Sequence, residues 1–209
     1  MNQKMDDLLS RVVIDLQEKY KPHTIILYGS RAREDYTPSS DIDVVCFVNG
    51  ATPIQDAREF EGLYLDAWVY GSDAMSASTD ELLRIADGYC LYDCEGYGEA
   101  FLKQLQQRIE QGPKPLSSSE KQHTKQWVDK MVERAKSSDV ESLYRRYWLA
   151  IDLLQIYFEL RGRWYLGPKK SLIWLREYDS IGYHLFSQVY ERGVRFDDLG
   201  KLSEYVTNI

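Results

Sequence analysis

The sequence predicts an α+β protein: a sheet of about four or five strands flanked by helices, followed by an all-α helical bundle. Three observations carry this. The first half holds short runs rich in Ile, Val, Leu and Tyr, such as Thr24-Ile25-Ile26-Leu27-Tyr28 and Asp43-Val44-Val45-Cys46-Phe47, bounded by Gly, Pro, Asn and Ser. Runs of that length and punctuation are strands. The second half instead repeats apolar residues at helical spacing. Between the halves, Gln111-Gly112-Pro113-Lys114-Pro115-Leu116-Ser117-Ser118-Ser119 combines prolines, a glycine and a serine run, the composition of a linker. The expected domains are residues 1–111, a linker over 112–118, and residues 119–209.

Taken in order, Met5, Leu8, Leu9, Val12, Val13 and Leu16 place one apolar face on a helix over residues 3–19. Pro22 and His23 break it, and residues 24–28 form a short buried strand. The turn Tyr36-Thr37-Pro38-Ser39-Ser40 leads to a second strand that ends at Asn49-Gly50. Residues 51–60 read as a polar connection, with a helical turn as one option, and residues 62–70 as a third strand. Residues 72–86 read as a helix capped by Ser78 or Thr79, and Tyr89-Cys90-Leu91-Tyr92 as a fourth strand. Asp93 and Gly96 turn the chain into a helix over 98–110, where Asp93 has a structural part. Beyond the linker, Ser118 or Ser119 caps a helix reaching about Lys136. Asp139 starts another through Leu160, with Leu143, Tyr147, Ile151, Leu154 and Phe158 as its buried stripe. Helices near 169–177, 180–192 and 196–207 complete the chain.

The chemistry concentrates in Leu27-Tyr28-Gly29-Ser30-Arg31-Ala32-Arg33 and in Ser40-Asp41-Ile42-Asp43. A strand that ends in Gly29-Ser30 and turns into a short helix presents backbone N–H groups suited to phosphate oxygens. Asp41 and Asp43 alternate onto one face of the second strand. Two such carboxylates repel unless a cation lies between them, and oxygen-only ligands suit Mg2+ or Mn2+. Asp66 interrupts the apolar and aromatic run Leu63-Tyr64-Leu65-Asp66-Ala67-Trp68-Val69-Tyr70, where an unpaired buried charge is costly, and it is the third candidate. Arg31 and Arg33 can face a triphosphate or pair on the surface with Glu34 or Asp35. Lys169 and Lys170, at a helix start beside Trp164-Tyr165, can meet phosphate as point charges or form a solvated pair.

Gly29-Ser30 followed at this spacing by Asp41-Ile42-Asp43 resembles the signature of the polymerase-beta-like nucleotidyltransferase superfamily. The run from Tyr28 to Asp43 resembles its small bacterial members, the minimal nucleotidyltransferases of toxin–antitoxin pairs and the kanamycin-type enzymes. The resemblance covers about the first half of the chain. It implies a mixed sheet and metal-dependent transfer of a nucleoside monophosphate, with Asp41, Asp43 and Asp66 as catalytic and metal-binding residues. Gly29, Ser30 and Arg33, with Lys169 and Lys170, become the nucleotide-binding candidates, and ATP the first nucleotide to consider. The acceptor is open between a small hydroxylated molecule such as an aminoglycoside and a protein or RNA. A homodimer is a further implication. The alternative is a non-catalytic nucleotide-binding or antitoxin-like module of the same fold. His184 follows Arg176 at wider spacing than the RNase signature of the helical partners of minimal nucleotidyltransferases, so no RNase site is expected.

Charge narrows the options. Residues 1–113 hold 10 Lys+Arg against 20 Asp+Glu, whereas residues 114–209 hold 16 against 13. An acidic first half is a poor match for nucleic-acid backbones, which are bound through basic surface, and a better one for a cationic acceptor. No stretch is apolar enough for a membrane span, and the N-terminus reads as an amphipathic helix, not a signal peptide. Cys46, Cys90 and Cys94 follow no metal-ligand pattern, which favours the cytoplasm.

Overall fold

The computed structural model describes residues 3–50, 52–77 and 80–208. The chain divides into two compact units, Met1–Gln111 and Gly112–Ile209. The first is built on a five-stranded mixed sheet in the order β3-β4-β2-β1-β5. Its elements are α1 (Gln3–Tyr20), β1 (Thr24–Tyr28), a one-turn α2 (Gly29–Ala32), β2 (Ile42–Val48), β3 (Ile54–Phe60) and β4 (Leu63–Gly71). A short α3 (Asp73–Ser76), a 3-10 helix (Asp80–Ile85), β5 (Tyr89–Asp93) and α4 (Tyr97–Gln111) follow.

The apolar face of α1, through Leu8, Leu9, Val12 and Leu16, packs on one side of the sheet against Ile25, Leu27, Ile42, Val44, Leu65, Ala67 and Val69. Part of the opposite side is covered by α4, where Phe101 meets Phe47 edge-on at 5.3 Å. With both sides covered, β2 is buried from Val44 to Val48, as its unbroken apolar run requires. Asp93 caps α4, its carboxylate accepting from the N–H groups of Gly98 and Glu99; its part is structural. His23 is likewise held in place, with one ring nitrogen on Thr24 Oγ1 and the other on Ser72 Oγ.

Three expectations for this unit need correction. Residues 54–60 are not a polar connection but the edge strand β3, which pairs antiparallel with β4. Its inner side is charged rather than apolar: Asp56 accepts from Lys19 and Tyr20 of α1, and Arg58 reaches Asp15 and Asp56. Ion pairs replaced the hydrophobic signal, and charge on an edge strand also discourages pairing with other chains. The single helix expected over 72–86 is two short pieces, α3 and the 3-10 helix; its proposed caps Ser78 and Thr79 lie outside the described residues. Arg31 is not on the surface. It is buried, its guanidinium donating to the carbonyls of Ser40 and Asp41 and lying 5.0 Å from the Tyr36 ring centroid.

The second unit is helical: α5 (Ser118–Arg134), α6 (Val140–Leu160), α7 (Pro168–Tyr178), α8 (Ser180–Glu191) and α9 (Phe196–Thr207). Ser117, not Ser118 or Ser119, caps α5, in a reciprocal capping box with Glu120. The buried side of α6 runs through Leu149, Leu153, Leu154, Tyr157 and Phe158. Leu143, Tyr147 and Ile151, expected in the buried stripe, are exposed, Ile151 by 63%. The helix is apolar on two faces, and periodicity alone could not say which one the bundle covers. Tyr144 and Trp148 lie with them on the exposed side, while Trp127, Tyr165 and Trp174 pack against the core.

A carboxylate hub joins three of these helices. Asp179 accepts from Tyr157 Oη at 2.5 Å and from Tyr205 Oη at 2.7 Å, and caps α8 through the Gly182 N–H. Arg161 stacks on the Tyr157 ring at 3.9 Å and donates to the Val206 carbonyl.

Candidate active site

The register of the sheet assembles the site. β1 and β2 are antiparallel, with Tyr28 opposite Asp43. β2 and β4 are parallel, and Asp43 is paired directly with Asp66. Directly paired residues project to the same side, so the two carboxylates are neighbours on one face. Asp66 is therefore in register with Asp43, a point alternation along one strand could not decide, since a slip by one residue would have turned it to the α1 side. Asp41 lies one residue before β2 and is exposed.

Gly29 fits against this pair. Its φ of +75° is a left-handed conformation, and a Cβ there would fall 2.2 Å from Asp43 Oδ2. Glycine is thus required twice, for the turn and for the approach of the carboxylate to the backbone. In Gly29→Ala, Asp43 must move aside, and a shift near 1 Å at a reacting centre costs about a hundredfold in rate. Steady-state turnover, with folding checked by circular dichroism, tests this; a wild-type rate would show that the seat of Asp43 is dispensable.

The electrostatics are those of crowded negative charge. Asp43 is held above the usual carboxylate range, first by burial and then by the charges of Asp66 and Asp41, against which Arg33 and Arg84 act in the opposite sense. Asp66 Oδ1 accepts from Gln55 Nε2 at 2.9 Å. Among the described residues no three or more His, Cys, Asp or Glu side chains are gathered so as to hold a metal ion by themselves. A carboxylate pair is nonetheless what Mg2+ uses at nucleotide sites, where water and substrate phosphates complete its shell. The surplus charge on Asp43, and a donor set made only of oxygens, fit such an ion.

The other candidates divide. Ser30 follows Gly29 in α2. Arg33 forms ion pairs with Asp35 at 3.4 Å and Asp87 at 3.2 Å, while its Nε is buried without a partner. Lys169 and Lys170 belong to the first turn of α7 in the second unit.

One residue was missed. Arg84, on the 3-10 helix, lies 5.9 Å from the Tyr28 ring centroid and 5.5 Å from that of Trp68, and donates to Tyr70 Oη at 3.3 Å. The only signal in the sequence was a lone arginine inside Glu81-Leu82-Leu83-Arg84-Ile85, indistinguishable from the solvated face of a helix.

Residues 9–77 match the model of a family described as nucleotidyltransferase domain. That segment contains Gly29, Asp43 and Asp66, and over it the chain is similar to a nucleotidyltransferase domain. Among solved structures, a nucleotidyltransferase-like protein from Exiguobacterium sibiricum 255-15 aligns with a TM-score of 0.45 at 11% identity, covering 97% of this chain and 74% of that one. No curated protein matches. Among the described residues no helix is long and apolar enough to cross a membrane.

Proposed function

We propose that the protein transfers a nucleoside monophosphate from a nucleoside triphosphate, ATP being the first candidate, to an acceptor hydroxyl, with release of pyrophosphate. The observation that carries this reading is the Asp43–Asp66 pair, in register and set against Gly29. Asp43 with Asp41 would hold Mg2+ or Mn2+, Asp66 completing the carboxylate set. Such an ion, when bound, neutralises charge on the phosphates and on the leaving pyrophosphate. Gly29 and Ser30 bind the β- and γ-phosphates through backbone N–H groups and the Ser30 hydroxyl. Asp66 takes the proton of the acceptor hydroxyl, and its bond from Gln55 holds it in place for this. The acidity of the first unit favours a cationic, hydroxyl-bearing small molecule as acceptor over RNA.

The test is incubation with Mg2+ and each of the four nucleoside triphosphates, alone and with aminoglycosides, other hydroxylated amines, RNA and protein. Pyrophosphate release that needs both the metal and one class of acceptor is the expected result. Tight nucleotide binding with no release under any condition would replace this reading with a non-catalytic binding module.

A further inference from the structure

We propose that Arg84 is a binding residue for the nucleotide, its guanidinium donating to phosphoryl oxygens from the sheet face that carries Asp43 and Asp66. The proposal rests on the nucleotidyl-transfer reading and adds a residue to it. Arg84 lies beyond residues 9–77, the segment matched to the nucleotidyltransferase family.

Tyr28 is paired with Asp43 across β1 and β2. Trp68 and Tyr70 follow Asp66 on β4 at intervals of two, so all three aromatic residues share its face. Arg84 is held by all three, over the rings of Tyr28 and Trp68 and on the hydroxyl of Tyr70. Trp68 and Tyr70 are themselves stacked, with ring planes 16° apart. This bed fixes a side chain that would otherwise sample many rotamers, which lowers the entropic cost of each bond it makes. Arg84 is exposed, so a ligand can reach it.

The chemistry points to phosphate. A triphosphate brings several negative charges to a face already bearing Asp43 and Asp66, and metal binding through carboxylates leaves phosphoryl oxygens in need of donors. A guanidinium offers a planar fork of donors to phosphate, and it stacks on aromatic rings where an ammonium would not.

The experiment is calorimetric titration of wild-type protein, Arg84→Met, Arg84→Lys and Trp68→Leu. The ligand is the α,β-methylene analogue of whichever triphosphate the wild type binds, in the presence of Mg2+. Loss of a charge-assisted bond should raise Kd about tenfold to a hundredfold in Arg84→Met. Arg84→Lys should recover part of this, and Trp68→Leu should show a smaller rise although the charge is intact. Thermal melting should be little changed in Arg84→Met, since the side chain is exposed. Equal affinity in wild type and Arg84→Met overturns the proposal. If the wild type binds none of the four triphosphates, the parent reading fails as well, which separates the two failures.

Discussion

Asp43→Asn will slow transfer severely and raise the melting temperature. The two effects have one origin. Burial and the neighbouring charges of Asp66 and Asp41 lift the Asp43 carboxyl above its ordinary range. A carboxyl whose pKa is raised on folding is less comfortably ionised in the native state than in the unfolded chain. It therefore destabilises the native state at neutral pH, and stability is lost as pH rises through its folded value. Asparagine has nearly the same shape and no charge, so it removes that cost. It also removes the carboxylate that the proposed metal site requires, and loss of one preorganised electrostatic group at a reacting centre lowers rate by about a hundredfold to a thousandfold. The paired measurement is pyrophosphate release and a thermal melt without added metal. A variant that is slower and also less stable would show Asp43 to be a structural residue.

The second large effect is on stability. Asp179→Ala should cost the second unit about 3 kcal/mol, because it leaves the buried Tyr157 hydroxyl without its acceptor and removes the cap of α8. The pH dependence has a definite sign. Burial raises the Asp179 pKa, but the bonds from Tyr157, Gly182 and Tyr205 and the charge of Arg161 outweigh it, and the net shift is downward. A carboxyl lowered on folding contributes stability that is complete above its unfolded value, about 4, and is lost as pH falls through the lower folded value. Urea unfolding at pH 7 and near pH 3 should therefore show the gap between wild type and Asp179→Ala narrowing in acid. A gap that stays constant or widens would mean the carboxylate is not the source of the stability.

The legible and illegible parts of the sequence differ in physical kind. Gly29, Asp41 and Asp43 could be read because a tight turn and an alternating strand are local, and the chemistry needs those residue types at that spacing. Asp66 could be nominated as a charge in an apolar run, but its partner is set by strand pairing, which no local pattern encodes. β3 was hidden because ion pairs with α1 stand where apolar residues would have announced a strand. Arg84 was hidden because its setting is made by three aromatic residues contributed by two strands. The exposed side of α6 was misread because both faces of that helix are apolar.

The parallel pairing of β2 with β4 has a bearing on how the molecule comes into being. Asp43 is made early and Asp66 later, and the two meet only after the chain has turned back through the β3–β4 hairpin. A nascent chain released at Gly50 would display the whole Gly29-to-Asp43 motif and yet hold only part of the site. The repulsion between the carboxylates is likewise deferred until a non-local strand docks, one of the slower kinds of folding event. Fragments split between β2 and β3 would each lack a carboxylate of the pair, and the pair would form again only when the two pieces were brought together.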